Sequence, residues 1–241
     1  MMDELKRIQN VYQARIDQNL FDNKYSLFRP GELYMLQQRE VATLGMLKSS
    51  GCHSLKETKI LEIGCGRGHR LADFLRWGAQ ARNINGVELL EEFVREAQDN
   101  YPAFKIVQAS AHHLPFEAGS FDLVYQSTVF TSILDKALRQ EIAAEMLRVL
   151  KPGGILLWYD FRYPNPKNKN VQPIRRHELI ELFPNTRIKL RSVTLAPPLA
   201  RALAPLSPMI CRALEAAPPL RTHYLGIITK ARTLDLSITL K

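Results

Sequence analysis

Two acids and three glycines are the residues whose spacing could do chemistry. Lys59-Ile60-Leu61-Glu62-Ile63-Gly64-Cys65-Gly66-Arg67-Gly68-His69 reads as a short apolar run, then glycines at alternate positions, then the start of an amphipathic stretch. Glycine lets a backbone turn through positive φ and lets a ligand approach where a Cβ would stand in the way. A helix beginning just after such a turn aims its amide end at that ligand. Glu62 stands two residues before the first glycine. Glu88 ends the next apolar run, 20 residues after Gly68. A carboxylate there can accept two hydrogen bonds from a ribose diol, and a helix-capping acid is the plainer alternative.

The spacing also excludes ligands. A dinucleotide turn is G-x-G-x-x-G, whereas the third glycine here comes one residue early, and no Gly-Lys-Ser/Thr follows for a P-loop. Glu62 beside the turn would repel a pyrophosphate and favour a cation or an ammonium group. These features together point to a nucleoside that carries positive charge.

The elements that must hold these residues alternate. Strands are expected at 60–63, 83–87, 104–108, 121–125, 155–159, 186–195 and 224–229, with helices at 69–77, 91–100, 135–150 and 175–183. Lys151-Pro152-Gly153-Gly154 reads as a helix stop and tight turn. Alternation of this kind implies parallel βαβ units in a doubly wound α/β sheet. Residues 1–50 carry two helical periodicities around a polar, aromatic stretch (Asn19 to Tyr25). They are expected to form a helical lid, mostly of packing residues, with Tyr12 and Tyr25 as the aromatics that would face a ligand. Residues 51–230 form the main domain, and 231–241 a tail. Within that domain 162–191 hold eight Lys/Arg against two Glu, a basic rim. Residues 196–220 are apolar and interrupted by six prolines, an expected cap.

The chain has 241 residues and a net charge of +9, which attracts anions without defining a fold. Cys52, Cys65 and Cys211 lie far apart, so no disulfide framework is expected. With no apolar leader after Met1-Met2-Asp3-Glu4 and no membrane-length apolar run, a cytoplasmic location is expected. His112-His113 alone makes no metal site, and no metal is expected.

Four motifs in order, between about 58 and 160, resemble the class I S-adenosylmethionine-dependent methyltransferases, in particular the small-molecule group around ubiquinone/menaquinone biosynthesis. They are Ile60 to Gly68, Gly86-Val87-Glu88, His113-Leu114-Pro115-Phe116 with Ser120 to Val124, and Leu147 to Gly154. The resemblance implies a Rossmann-like, mostly parallel seven-stranded sheet with an insertion before the last strand, and S-adenosylmethionine as cofactor. It implies roles too. Gly64, Cys65, Gly66 and Gly68 would cradle the methionine arm and Glu62 would orient its ammonium. Glu88 would hold the ribose and Leu89 would pack on adenine. Ser110 and Ala111 would meet the adenine edge, with Ser110 standing where the family often has Asp. Gln126 would line the methionine end.

The implied activity is methyl transfer to a small-molecule, glycan or lipid-linked acceptor, at a hydroxyl oxygen. Such an acceptor needs a base at the carboxyl edge of the sheet; Asp160 is the first candidate and His177 the second. An apolar cap with a basic rim would suit an amphiphilic acceptor and peripheral contact with an anionic membrane. A nucleic-acid methyltransferase is the alternative enzyme, disfavoured because Gln126-Ser127-Thr128-Val129 replaces an Asn-Pro-Pro-Tyr-type motif. A non-catalytic S-adenosylmethionine-binding regulator is the alternative outside enzymes. Oligomeric state is not legible.

Overall fold

A computed structural model describes residues 2–18, 25–166 and 168–230. Most of the polar stretch from Asn19 to Tyr25, and the 231–241 tail, lie outside the described residues. Eight α-helices are described: α1 (Met2–Asp17), α2 (Pro30–Ser49), α3 (His69–Arg76), α4 (Glu91–Asn100), α5 (Lys136–Val149), α6 (Arg176–Leu182), α7 (Pro197–Leu203) and α8 (Pro208–Glu215). The strands are β1 (Ile60–Ile63), β2 (Ile84–Glu88), β3 (Lys105–Gln108), β4 (Phe121–Ser127), β5 (Leu150–Phe161), β6 (Thr186–Leu195) and β7 (Arg221–Lys230).

They form one seven-stranded sheet in the order β3-β2-β1-β4-β5-β7-β6. β1 to β5 run parallel, while β7 runs antiparallel to both β5 and β6. The order reverses at β1, so the carboxyl ends of β1, β2 and β4 flank the crevice where open α/β sheets take ligands. Strand alternation divides the core. Leu61, Ile63, Val124, Leu156 and Trp158 pack against α5 and α6. Ile60, Leu123, Tyr125, Leu157 and Tyr159 pack against α2, α3 and α4.

Local chemistry explains where the helices start. α3 begins directly after Gly68, whose φ of 80° is left-handed. Asp135 caps α5 by accepting from the amides of Ala137 (2.8 Å) and Leu138 (3.2 Å).

Two local expectations need correction. The prolines of 196–220 do not break this stretch: Pro197 and Pro208 open α7 and α8, where a missing N–H costs nothing, and Ser207 caps the second by accepting from the Met209 amide. The Lys151–Gly154 turn is absorbed into β5. Phe121 pairs with Leu150 and Leu123 with Ile155, so the four residues bulge opposite Asp122, and Gly153 takes the left-handed φ of 76° that the bulge requires.

The 196–220 insertion is fastened to α2. Tyr34, Leu195, Ala200, Ala204 and Cys211 form a separate apolar cluster. A Cβ on Gly31 would lie 2.7 Å from the Arg201 Cα, so only glycine admits this helix crossing. Arg201 pairs with Glu32 at 2.6 Å, and Tyr34 donates to Glu215 at 2.7 Å. No helix among the described residues is long and apolar enough to cross a membrane.

Candidate cofactor site

Gly64, Gly66 and Gly68 all have left-handed φ, at 65°, 53° and 80°, but they serve different ends. A Cβ on Gly64 would strike Val129 Cγ2 at 2.7 Å, and one on Gly68 would strike the Tyr101 ring at 2.9 Å. Those two positions let the turn pack against its neighbours. A Cβ on Gly66 would meet nothing within 4 Å, so Gly66 borders open space at the crevice. Cys65 is buried between them, its amide bonded to the Val87 carbonyl at 3.0 Å. Burial pushes its thiol far up, which leaves it a packing residue rather than a nucleophile.

Glu88 closes the other side of the turn. Its Oε2 accepts from the Gly66 amide at 2.9 Å, and its Oε1 accepts from Leu89 and Leu90 at 2.7 and 3.0 Å. Burial raises its carboxyl and the three amides partly offset that. The acid thus ties the β2 end to the glycine turn. Oε1 is filled by two amides, and Oε2 keeps one acceptor site for a ribose hydroxyl.

Glu62 is 1% exposed and its Oε2 has no hydrogen-bond partner. Burial pushes its carboxyl well above the ordinary range. Arg39 of α2 pulls it down, and Asp73 and Glu88 push it further up. A buried acid without a donor is costly and is matched by a ligand that brings a cation.

The other expected residues divide. Leu89 and Ala111 are half-buried beside this edge. Ser110 faces His112, its Oγ 2.6 Å from the imidazole Nδ1, so the hydroxyl meant for adenine already has a partner. Gln126 is wholly buried. It accepts from the Val129 amide at 3.1 Å and donates to the Tyr159 carbonyl at 3.4 Å, bracing the turn after β4. Asp160 is buried at the end of β5, accepting from the Phe161 amide at 2.9 Å and the Thr131 amide at 3.2 Å. Burial raises its carboxyl to about 6. His177 is exposed on α6, with no contact to these residues.

Three features escaped sequence reasoning. Thr128, just after β4, has φ of 59°, a strained conformation for a β-branched residue, costing about 1–3 kcal/mol. It is held by its amide on the Tyr159 carbonyl at 2.8 Å, next to the Val129 that touches Gly64. Second, α1 is anchored to the loop after β4. Arg7 donates to the Ser132 carbonyl at 2.6 Å and pairs with Glu4, while the Tyr12 hydroxyl lies 3.2 Å from Ser132 Oγ. Tyr12 also meets Phe93 edge-on at 6.5 Å and feels the charges of both Glu88 and Asp160, so it stands across the crevice. Tyr25 is half exposed. The Glu4/Arg7 spacing of three was the legible signal for this anchor. Third, Arg39 lies over the Tyr159 ring at 5.1 Å, and that ring stacks on His223 at 4.6 Å. Nothing in the spacing of α2 marks Arg39 out.

The partnerless Glu62 oxygen and the open space at Gly66 fit a nucleoside with a cationic amino-acid arm. Comparison with known proteins agrees. Residues 61–158 match the family described as a methyltransferase domain. The ubiquinone/menaquinone biosynthesis C-methyltransferase UbiE of Campylobacter jejuni is 29% identical over 110 residues, 44% of this chain and 46% of that protein. The sterol 4-C-methyltransferase strm-1 of Caenorhabditis elegans is 32% identical over 135 residues, 52% of this chain and 39% of that protein. The chain thus spans less than half the length of these two relatives. In fold it resembles geranyl diphosphate C-methyltransferase from Streptomyces coelicolor, solved with Mg2+, geranyl diphosphate and S-adenosyl-L-homocysteine. The TM-score is 0.57 at 18% identity, covering 79% of this chain and 77% of that one. Residues 61–158 are therefore similar to a methyltransferase domain, and the chain has the fold of solved methyltransferases.

Proposed function

We propose that this protein transfers a methyl group from S-adenosylmethionine to an amphiphilic small-molecule, glycan or lipid-linked acceptor, at a hydroxyl oxygen. The observation that carries the donor half is the buried, partnerless Glu62 oxygen beside the open face of Gly66. When bound, S-adenosylmethionine supplies an electrophilic methyl group on a sulfonium centre. The chain has to hold the donor in line with the acceptor and keep water out. Glu62 would receive the ammonium, and Glu88 a ribose hydroxyl. Leu89 and Ala111 would border the base. Tyr12 and α1 would close over the crevice.

The acceptor hydroxyl must lose its proton, and we assign that task to Asp160. A carboxyl held near 6 can accept a proton at neutral pH. Both of these relatives are named as C-methyltransferases. They favour a second reading, transfer to a ring carbon activated by a neighbouring hydroxyl. The test incubates the protein with labelled S-adenosylmethionine and a panel of hydroxylated quinones, sterols and lipid-linked glycans, and places the methyl in the product by NMR. An O-methyl product supports the first reading and a C-methyl product the second. Tight donor binding with transfer to no member would favour a regulatory role.

Glu62 makes binding pH-dependent, and the sign follows from its raised carboxyl. Burial makes the free acid hold its proton to higher pH than an ordinary carboxyl, and an incoming ammonium stabilises its ionised form. Binding should therefore release up to about one proton, and affinity should fall as pH drops through the raised range. Calorimetry in buffers of different ionisation enthalpy reads the release directly; no proton released at any pH would remove Glu62 from the site.

Membrane contact is part of this proposal. Leu206 and Met209 are 75% and 79% exposed at the α7–α8 tip, Ile210 is also exposed, and Arg212 follows on α8. Apolar side chains flanked by cations suit an anionic bilayer surface. Flotation with phosphatidylserine-containing vesicles should carry the protein upward at low salt, and Leu206→Glu/Met209→Glu should remain at the bottom. Equal flotation of both proteins would end the idea.

A further inference from the structure

Two turns carry large apolar side chains where turns ordinarily carry Gly, Asn, Asp or Ser. In the first, the Ser26 carbonyl accepts from the Arg29 amide at 3.1 Å, which places Leu27 and Phe28 at the corners. Phe28 is wholly exposed and Leu27 half exposed. This turn is fastened to α2, because the Arg29 carbonyl accepts from the Glu32 and Leu33 amides at 3.0 and 3.1 Å. The second is the α7–α8 tip. There the Leu203 carbonyl accepts from the Leu206 and Ser207 amides at 3.0 and 2.9 Å, and Leu206 stands exposed. Packing within the fold accounts for neither exposed corner.

The two turns spring from one helix crossing, where Gly31 of α2 meets the Arg201 backbone of α7. Phe28 lies three residues before that crossing and Leu206 five residues after it, so their backbones are at most about 11 and 18 Å from it. Charge around them has one sign. Residues 25–33 and 197–215 hold two acids, and both are engaged. Glu32 pairs with Arg201 at 2.6 Å, and Glu215 accepts from the Tyr34 hydroxyl at 2.7 Å and the Thr194 amide at 3.0 Å. Arg29 and Arg212 stand exposed beside the apolar corners. Apolar tips with cations and no unengaged acid match an anionic lipid surface. A second copy of the chain answers them less well, because a two-fold contact would bring the same cations of both copies together.

We propose that Leu27 and Phe28 form a second bilayer anchor, so that the protein docks on an anionic membrane through two turns, one before α2 and one between α7 and α8. This deepens the membrane reading above and rests on it. A single anchor leaves the protein free to turn about the point of contact. Two anchors joined through the α2–α7 crossing fix which face meets the lipid.

The test measures partitioning onto vesicles of phosphatidylserine and phosphatidylcholine at low salt. Phe28→Ser should bind about tenfold or more weakly than the unmodified protein, the range for one large apolar side chain leaving an apolar medium. Its melting temperature without lipid should be unchanged, since a wholly exposed ring contributes no packing. Phe28→Trp should show indole fluorescence quenched by brominated phosphatidylcholine beyond the quenching of the unmodified protein. If Phe28→Ser does lower the melting temperature, the quenching in Phe28→Trp decides alone. Partitioning of Phe28→Ser equal to the unmodified protein, or no added quenching in Phe28→Trp, overturns the second anchor. The membrane reading would survive that result as long as Leu206→Glu/Met209→Glu still fails to float. Dimers that Phe28→Ser converts to monomers, with partitioning unchanged, would assign the turn to a second copy and overturn the inference as well. An unmodified protein that binds no vesicles overturns the membrane reading itself, a result distinct from one in which only the α7–α8 tip matters.

Discussion

Glu88→Ala is expected to abolish measurable S-adenosylmethionine binding and to lower the melting temperature by roughly 6–12 °C. The second number follows from three amides. Gly66, Leu89 and Leu90 all donate to this one carboxylate. Truncation leaves them without an acceptor in a site that is mostly shut to solvent. Each orphaned donor costs about 1–3 kcal/mol; because the vacated volume can admit water, a total of about 3 kcal/mol is the sounder expectation, and about 2–4 °C per kcal/mol applies at this chain length. The binding loss has two parts, the ribose contact and the slack in the glycine turn once its tether to β2 is cut. Glu88→Gln separates them. Glutamine keeps one acceptor oxygen, so it should recover part of the stability and little of the affinity. Thermal unfolding and calorimetry on both variants check this. Unchanged cofactor affinity in Glu88→Ala would mean that the ligand does not lie along β2.

Asp160→Asn should cut methyl transfer by about 10²- to 10⁴-fold, the usual contribution of a positioned general base, while leaving the donor dissociation constant within about threefold, a change of under 1 kcal/mol. The unmodified enzyme should lose activity as pH falls through about 6, and the variant should lose that acid limb. Stability gives an independent reading. The folded-state carboxyl is raised, so its contribution to stability is complete below the unfolded value and is lost as pH rises through about 6. Unfolding midpoints of the unmodified protein should therefore carry a component that declines over that window, absent from Asp160→Asn. Asparagine also gives up one of the two acceptor oxygens that hold the Thr131 and Phe161 amides. The loop after β4 has a second brace in Arg139, which donates to the Ile133 carbonyl at 2.7 Å and pairs with Glu178. That brace should keep the loop in place while the carboxylate is removed. If activity survives intact in Asp160→Asn, this residue only positions the loop.

The architecture was legible because its determinants are local. Period-two and period-3.6 patterns gave the alternation, and the observed strands fall within a few residues of their expected places. The glycine turn was legible for the same reason. Left-handed φ at three alternate positions is a property of the residues themselves, and Glu62 and Glu88 end the strands on either side of it. Where local reading failed, proline was the cause. Pro197 and Pro208 were taken as breakers, yet proline fits the first turn of a helix as well as it disrupts the middle, and only the following residues decide which.

What needed the tertiary structure was which side chains share the crevice and which are already occupied. Gln126 and Ser110 have the right chemistry for a ligand, but in the fold they have partners of their own. His177 has the right chemistry for a base, but it lies on the solvent face of a short helix. Arg39 looks like one more surface cation in a helix full of polar residues. Its place over the Tyr159 ring depends on how α2 crosses the sheet, and that crossing is set by Gly31 against α7 some 170 residues later. The amino-acid sequence by itself determined the fold, the turn and the kind of donor, because each is written in neighbouring residues. The partnerships that make a site were decided only by chain segments far apart in sequence meeting at one sheet edge, since a charge becomes functional when the fold withholds its other partners.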